Sequence, residues 1–294
     1  DDPPRLYLGE TVELKSLQLD ASGAAAVEPA RVTDLSAFQC PSCAAPLATH
    51  SKDIQTVACG SCGAVIDTSN RNLDILSRVR SAEKIQPALP LGSQGRLRGD
   101  NYTVIGFLRR KTVIEGLTYD WDEYLLYSDK EGFRWLTESD GHWNLAKGLS
   151  GLPRVSQGSH PSVSYLGTDY PHFQTCTAAI SYVVGEFYWK VKQGDSAECS
   201  DFVAPPLMLS RERTEREIAW SIAEYLPKAD IEAAFKVSLP DPIGIAPNQP
   251  SPHASTAPYW KLFWLLSALA LVLQISFVAA ARNQRVLQHT LTLA

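Results

Sequence analysis

Four cysteines are the residues of this chain best placed to do chemistry. They form two C-x-x-C pairs, Cys40/Cys43 and Cys59/Cys62, in "CPSCAAPLATHSKDIQTVACGSC", with fifteen residues between the pairs. Two such knuckles can bring four thiolates to the corners of a tetrahedron. Zinc takes that geometry with sulfur ligands, and a closed set of four leaves no open position for catalysis. The spacing lies in the zinc-ribbon range. Gly60 and Gly63 are expected to let the second knuckle turn tightly, whereas the first carries Ala44 after its second cysteine. Structural zinc is the expected cofactor. Two disulfides, buried free thiols or a rubredoxin-like iron are the alternatives. A redox dithiol is the weakest reading, because one C-x-x-C suffices for it and no βαβ pattern surrounds these pairs. His50 reads as an exposed loop residue, and Cys176 and Cys199 as small buried hydrophobes.

The second group with chemical potential is acidic: Asp120, Asp122 and Glu123, with Asp140 and His142. Two carboxylates and an imidazole could do general acid–base work. These acids border turns, where Asp is favoured for its own reasons, and Glu123 alternates with Trp121 and Leu125 on a strand-like stretch. A solvated strand edge is the preferred reading. No G-x-S-x-G, H-E-x-x-H or phosphate-loop motif occurs. The residues favour a non-enzymatic protein, with a hydrolase using the 120–142 acids as the competing class.

These groups must be positioned by short strands. From Asn101 the chain reads as strand segments with turn punctuation: "NYTVIGFLRR" ending in a basic pair, "WDEYLLYS", "FRWLTES" and "WNL", then "TAAISYVVGEFYWKV" and "CSDFVAPPLML". Asp140-Gly141 marks a tight turn, and Pro205 and Pro206 exclude a central ladder position. The expected class is mainly β, an antiparallel meander or barrel-like domain with an N-terminal zinc ribbon. "TEREIAWSIAEYL" is ambiguous: Thr214 and Glu217 resemble a capping box, but Ile218, Trp220 and Ile222 equally share one strand face. A short helix is expected over 228–235, begun by Pro227.

Residues 238–258 carry prolines at 240, 242, 247, 250, 252 and 258, which predicts an extended linker of order 60 Å at about 3.1 Å per residue. Twenty uncharged residues follow, Leu262 to Ala281, enough for a membrane span of about 30 Å. Trp260, Phe263 and Trp264 sit at one end as interfacial aromatics do, and Gln274 could face a neighbouring helix. Arg282 and Arg285 against Lys261 weakly favour a cytoplasmic C-terminal side. Thiolate ligands favour a reducing compartment for the N-terminal domains, and that argument weighs more.

Beyond these readings, "WDEY" and "GFRWL", after a ribbon and before a proline linker and apolar helix, resemble bacterial membrane proteins of the domain of unknown function 4178 family. The most specific positions are Trp121, Glu123, Tyr124, Gly132, Trp135 and Leu136. The resemblance implies a prokaryotic β-rich domain held at the inner membrane, with no established activity and a loose association with the envelope. Ala44 departs from the usual glycine there.

The expected organisation is an unassigned segment 1–39, a zinc ribbon 40–69, a β-rich domain 95–237, a linker 238–258, a transmembrane helix 259–282 and a tail 283–294. The absence of an initiator methionine and the abrupt end suggest a trimmed chain. The function expected is an adaptor or ligand-binding component at the inner membrane, its N-terminal domains cytoplasmic, with a subunit of a membrane complex as a further alternative. Its partners would be the lipid bilayer and other membrane or envelope proteins. Trp121, Glu123, Tyr124 and Trp135 would offer a ligand or partner surface. The net charge of −5, and a ribbon with Lys52 and no arginine, argue against nucleic acid.

Overall fold

The computed structural model describes residues 37–69, 72–79, 85–156, 161–250 and 257–291. The expected N-terminal segment up to residue 36 and Pro252 lie outside them. The chain is mainly β and antiparallel, and divides into two compact units. One comprises residues up to Arg134 with Ala178–Ser196; the other comprises Trp135–Thr177 with the residues from Ala197 onward.

In the first unit β1 (Ala37–Gln39) pairs with β2 (Pro46–Ala48). β3 (Thr56–Ala58), β4 (Ala64–Asp67) and β5 (Ile75–Arg78) form consecutive antiparallel neighbours. β6 (Gln94–Leu97) pairs with β7 (Asp100–Ile114), which forms a long hairpin with β8 (Leu117–Ser128). The hairpin turns at Glu115 (φ 52°) and Gly116 (φ 81°), two positive angles that match the twist of the flanking strands.

The second unit contains β9 (Gly132–Ser139) from Trp135 on, β10 (His142–Gly148), β11 (Arg154–Ser156), β12 (Ser162–Tyr165), and β13 (Thr168–Phe187) as far as Thr177. β14 (Ser196–Ala204), β15 (Leu207–Arg213) and β16 (Ile218–Leu226) complete its strands. The ladder β9–β10–β16–β15–β14 is antiparallel throughout. Pro205 and Pro206, joined by a cis bond, stand in the turn between β14 and β15, where no ladder hydrogen bond is needed. Val163, Tyr170, Phe202 and Leu209 form a buried cluster there.

The ambiguous "TEREIAWSIAEYL" resolves as strand β16. Ile222 lies opposite Leu209, and Trp220 packs on the same cluster. Burial of one alternating face against a neighbouring strand outweighs helix propensity here. The Thr214 hydroxyl does accept the Glu217 N–H, at 3.1 Å, but it closes the β15–β16 turn instead of capping a helix. α1 (Lys228–Phe235) forms where expected, burying Ile231 and Phe235.

The proline-rich segment is not a free linker as far as residue 250. Leu239, Ala246 and Asn248 are buried. The Ile243 N–H donates to the Asp140 carbonyl at 2.8 Å. Lys228 Nζ reaches Asp241 at 2.7 Å, and Asn248 Nδ2 donates to Asn144 Oδ1 and to the Pro206 carbonyl. The segment therefore runs as a strap over the second unit. Gly141 (φ 83°) makes room for it: a Cβ there would lie 2.7 Å from the Pro242 Cα. Composition suggested an extended chain, but buried apolar contacts and satisfied backbone groups decide its path.

α2 (Ala257–Leu291) is a 35-residue helix. Among the described residues, no helix is long and apolar enough to cross a membrane. That overturns the transmembrane helix 259–282 and the inner-membrane location built on it. Ser267, Gln274 and Ser276 place polar groups along this stretch of the helix. Trp260, Phe263 and Trp264 are exposed and stack edge-on with one another. Gln274 is likewise exposed on the helix.

Candidate metal centre

The two knuckles fold by the same local hydrogen bonds. In the first, the Ala44 N–H donates to the Cys40 carbonyl at 2.9 Å and the Cys40 N–H to Ala45. In the second, the Gly63 N–H donates to the Cys59 carbonyl at 2.8 Å and the Cys59 N–H to Ala64. Both turns end in a left-handed residue, Ala44 at φ 59° and Gly63 at φ 73°. Gly60 has no such angle, so its expected role in tightening the turn falls to Gly63.

The turns aim four sulfurs at one point. All four lie within 4.8 Å of one another, with Cys40–Cys62 at 3.7 Å and Cys43–Cys59 at 3.8 Å. A tetrahedron with metal–sulfur bonds of about 2.3 Å has edges of about 3.8 Å. The separations are far beyond the roughly 2.05 Å of a disulfide, and none of the six cysteines is in a disulfide. The donor set fits a four-thiolate metal such as zinc. Burial raises Cys62, but the Ala64 N–H, the Ser42 hydroxyl and its neighbouring thiols draw it down to about 6. The Ala45 N–H favours the Cys43 thiolate, yet hydrogen bonds with Cys62, Cys40 and Cys59, together with burial, push it up to about 12.

The centre is joined to the sheet of the first unit. β3 pairs with the end of β13, Ala58 opposite Gly185 and Thr56 opposite Phe187. Two acid anchors reinforce this join. Asp67 on β4 is buried and accepts Lys190 Nζ at 2.8 Å. Burial would raise its carboxyl, but the Lys190 amine and the Ser69 donors hold it below the usual carboxylate range. Glu186 on β13 is also buried; its Oε2 accepts the His50 N–H at 2.7 Å and its Oε1 lies 2.6 Å from His50 Nδ1. Burial pushes the Glu186 carboxyl up, and the His50 bonds only partly offset this. His50 is thus partly exposed, as the sequence suggests, yet tied through its ring to a buried acid. A glutamate inside the apolar run "VVGEFYW" was the available signal, since a buried acid requires partners.

The acids of the 120–142 group belong to both units, and Asp122, Glu123 and His142 are engaged inside their own unit. Asp122 and Glu123 are buried, which corrects the solvated strand edge expected for them. The turn at Glu115-Gly116 sets Arg109 directly opposite Asp122, and the two form a bidentate pair at 2.6 and 2.8 Å. Arg110 Nε lies 3.1 Å from Glu123 Oε1, which also accepts the Trp121 indole N–H at 2.7 Å. The basic pair ending "NYTVIGFLRR" was the legible half of this arrangement. His142 is buried: its Nε2–H donates to the Ile243 carbonyl at 3.2 Å, leaving Nδ1 to accept the Tyr225 hydroxyl at 3.1 Å. One ring nitrogen thus holds the strap and the other the neighbouring strand β16.

Of the residues expected to offer a partner surface, Tyr124 is fully buried, its hydroxyl accepting the Ala88 N–H. Glu123 is buried among the partners just described, and Trp121 is half-buried beside it. Trp135 stands in the second unit, on β9 opposite Ala146.

Residues 90–228 match the family model described as a domain of unknown function, DUF4178. The matched stretch includes the "WDEY" and "GFRWL" elements; the cysteine module and α2 lie outside it. No curated protein and no solved structure matches the chain.

Proposed function

We propose that this chain, which carries the DUF4178 domain, is a non-enzymatic adaptor or ligand-binding protein whose ribbon is held by one structural zinc. The observation that supports this most is the set of four cysteine sulfurs at tetrahedral spacing on two paired knuckles. Cys40, Cys43, Cys59 and Cys62 complete the coordination, so the metal fixes the fold and offers no position to a substrate. The engagement of Asp122, Glu123 and His142 in pairings of their own further supports a binding role over a hydrolase using that group. The ribbon joins the sheet through β3 and β13, so zinc would stiffen the surface that a partner or ligand meets.

Metal analysis of protein purified under reducing conditions tests this. One zinc per chain is expected, and its removal should lower the melting temperature. A protein that binds no zinc, or that loses it without any change in melting, would not have a structural metal centre.

A further inference from the structure

The first unit carries a row of aromatic rings that its core does not enclose. Tyr127 of β8 lies 5.4 Å from Phe133, Phe133 lies 4.7 Å from Tyr188, and Tyr188 lies 5.0 Å from Trp189. Tyr188 is 36% exposed, and the other three are half-buried. The core proper is supplied by Phe107, Tyr124 and Phe187, which are fully buried.

The charge beside this row has one sign in excess. The Tyr127 phenol is raised by burial first, then by the Asp129 carboxylate, with Asp53 contributing and the Ser51 hydroxyl opposing. Nearby cations are engaged: Lys130 with Asp100 at 2.7 Å and Glu131 at 3.5 Å, and Arg134 with Glu131 at 2.8 Å. Asp53 and Asp129 have no cationic partner among the described residues, and Lys52 is the one cation on the loop that carries Asp53. Aromatic faces attract cations within about 6 Å of the ring centroid. The two carboxylates act in the same sense and repel anions.

We propose that Tyr127, Phe133, Tyr188 and Trp189, with Asp53 and Asp129, form a binding site for a small alkylammonium ligand. The ring faces take the methyl or methylene groups, and the carboxylates balance the charge. This gives a ligand class to the binding role proposed above and rests on that reading.

The test is a titration of the zinc-loaded full chain with choline, followed by the shift of the Trp189 indole N–H. The neutral isostere 3,3-dimethylbutan-1-ol serves as control. Choline should bind about two- to five-fold tighter than the alcohol, the factor expected of one exposed cation–π contact. Asp129→Asn, at an exposed turn position, and Tyr188→Leu should each weaken choline binding several-fold. Equal binding of the two probes, insensitivity to both substitutions, or no binding of choline would overturn the site. Zinc content is measured on the same sample. One zinc without choline binding removes this site and leaves the metal centre standing; choline binding without zinc does the reverse.

Discussion

The two cysteine knuckles have the same spacing and the same hydrogen-bonded turns, but opposite surroundings. The first sits between β1 and β2, whose residues alternate between exposed and half-buried. The second sits between β3, buried at every residue, and β4, likewise buried throughout. Only the second is paired onto β13 and anchored by Asp67 to Lys190. The local motif therefore sets the sulfur geometry, while neighbouring strands determine how much each hairpin would depend on a bound metal.

The largest expected effect separates the two hairpins. Structural zinc supplies folding energy of about 10–16 kcal/mol in isolated zinc modules. With the metal chelated, β1–β2 has little buried surface left to order it, whereas β3–β4 keeps its ladder to β13. Hydrogen exchange after chelation should show amides 37–48 losing protection and amides 56–67 retaining most of theirs. Equal loss in both would mean that the metal, and not the strand pairing, holds the second hairpin.

Next in size is the left-handed position that ends each knuckle. Gly63→Ala places a Cβ at φ 73° and 3.2 Å from the Val79 carbonyl oxygen, and should destabilise by about 1–2 kcal/mol. Ala44→Gly relieves strain at φ 59° but loosens the unfolded chain, so its net effect should stay within about 0.5 kcal/mol. Thermal melts of the zinc-loaded variants decide this; equal losses would erase the asymmetry between the knuckles.

The two acid anchors should respond to pH with opposite sign. Asp67 is held below its unfolded value of about 3.9. Its contribution is present above that value and is lost as pH falls through the folded one. Glu186 is raised above its unfolded value of about 4.3. Its contribution is full below that value and is lost as pH rises through the folded one. Urea unfolding across pH should therefore show Asp67→Asn flattening the acid limb and Glu186→Gln flattening the limb towards neutrality. The same slope change for both would contradict these environments.

The smallest effect belongs to the first knuckle's outer contact. Arg78 donates to the Ser42 hydroxyl at 2.7 Å, but the pair is exposed. Arg78→Ala should cost no more than about 0.5 kcal/mol, and a larger loss on melting would show that the exposed hairpin is anchored more firmly than its surroundings indicate.

Much of the molecule can be read from local patterns. The C-x-x-C pairs, the Asp140-Gly141 turn, the strands from Asn101 and the helix 228–235 each depend on a few adjacent residues. Other features need partners distant in sequence. Asp122 looks like a solvated turn acid until register places Arg109 across from it. The strap 238–250 looks like a linker because its prolines are visible, while the pocket for Asn248, made by Asn144 and Pro206, is not. Glu186 acquires its partner from a loop 136 residues away.

The sequence by itself determined the ligand set, the antiparallel β character and the turn positions, because spacing and backbone preference act over a few residues. The tertiary structure alone decided which hairpin is buried, which acids are engaged and where the proline segment runs. Those outcomes depend on pairing register and burial between distant segments, whose free energy no single stretch of chain contains.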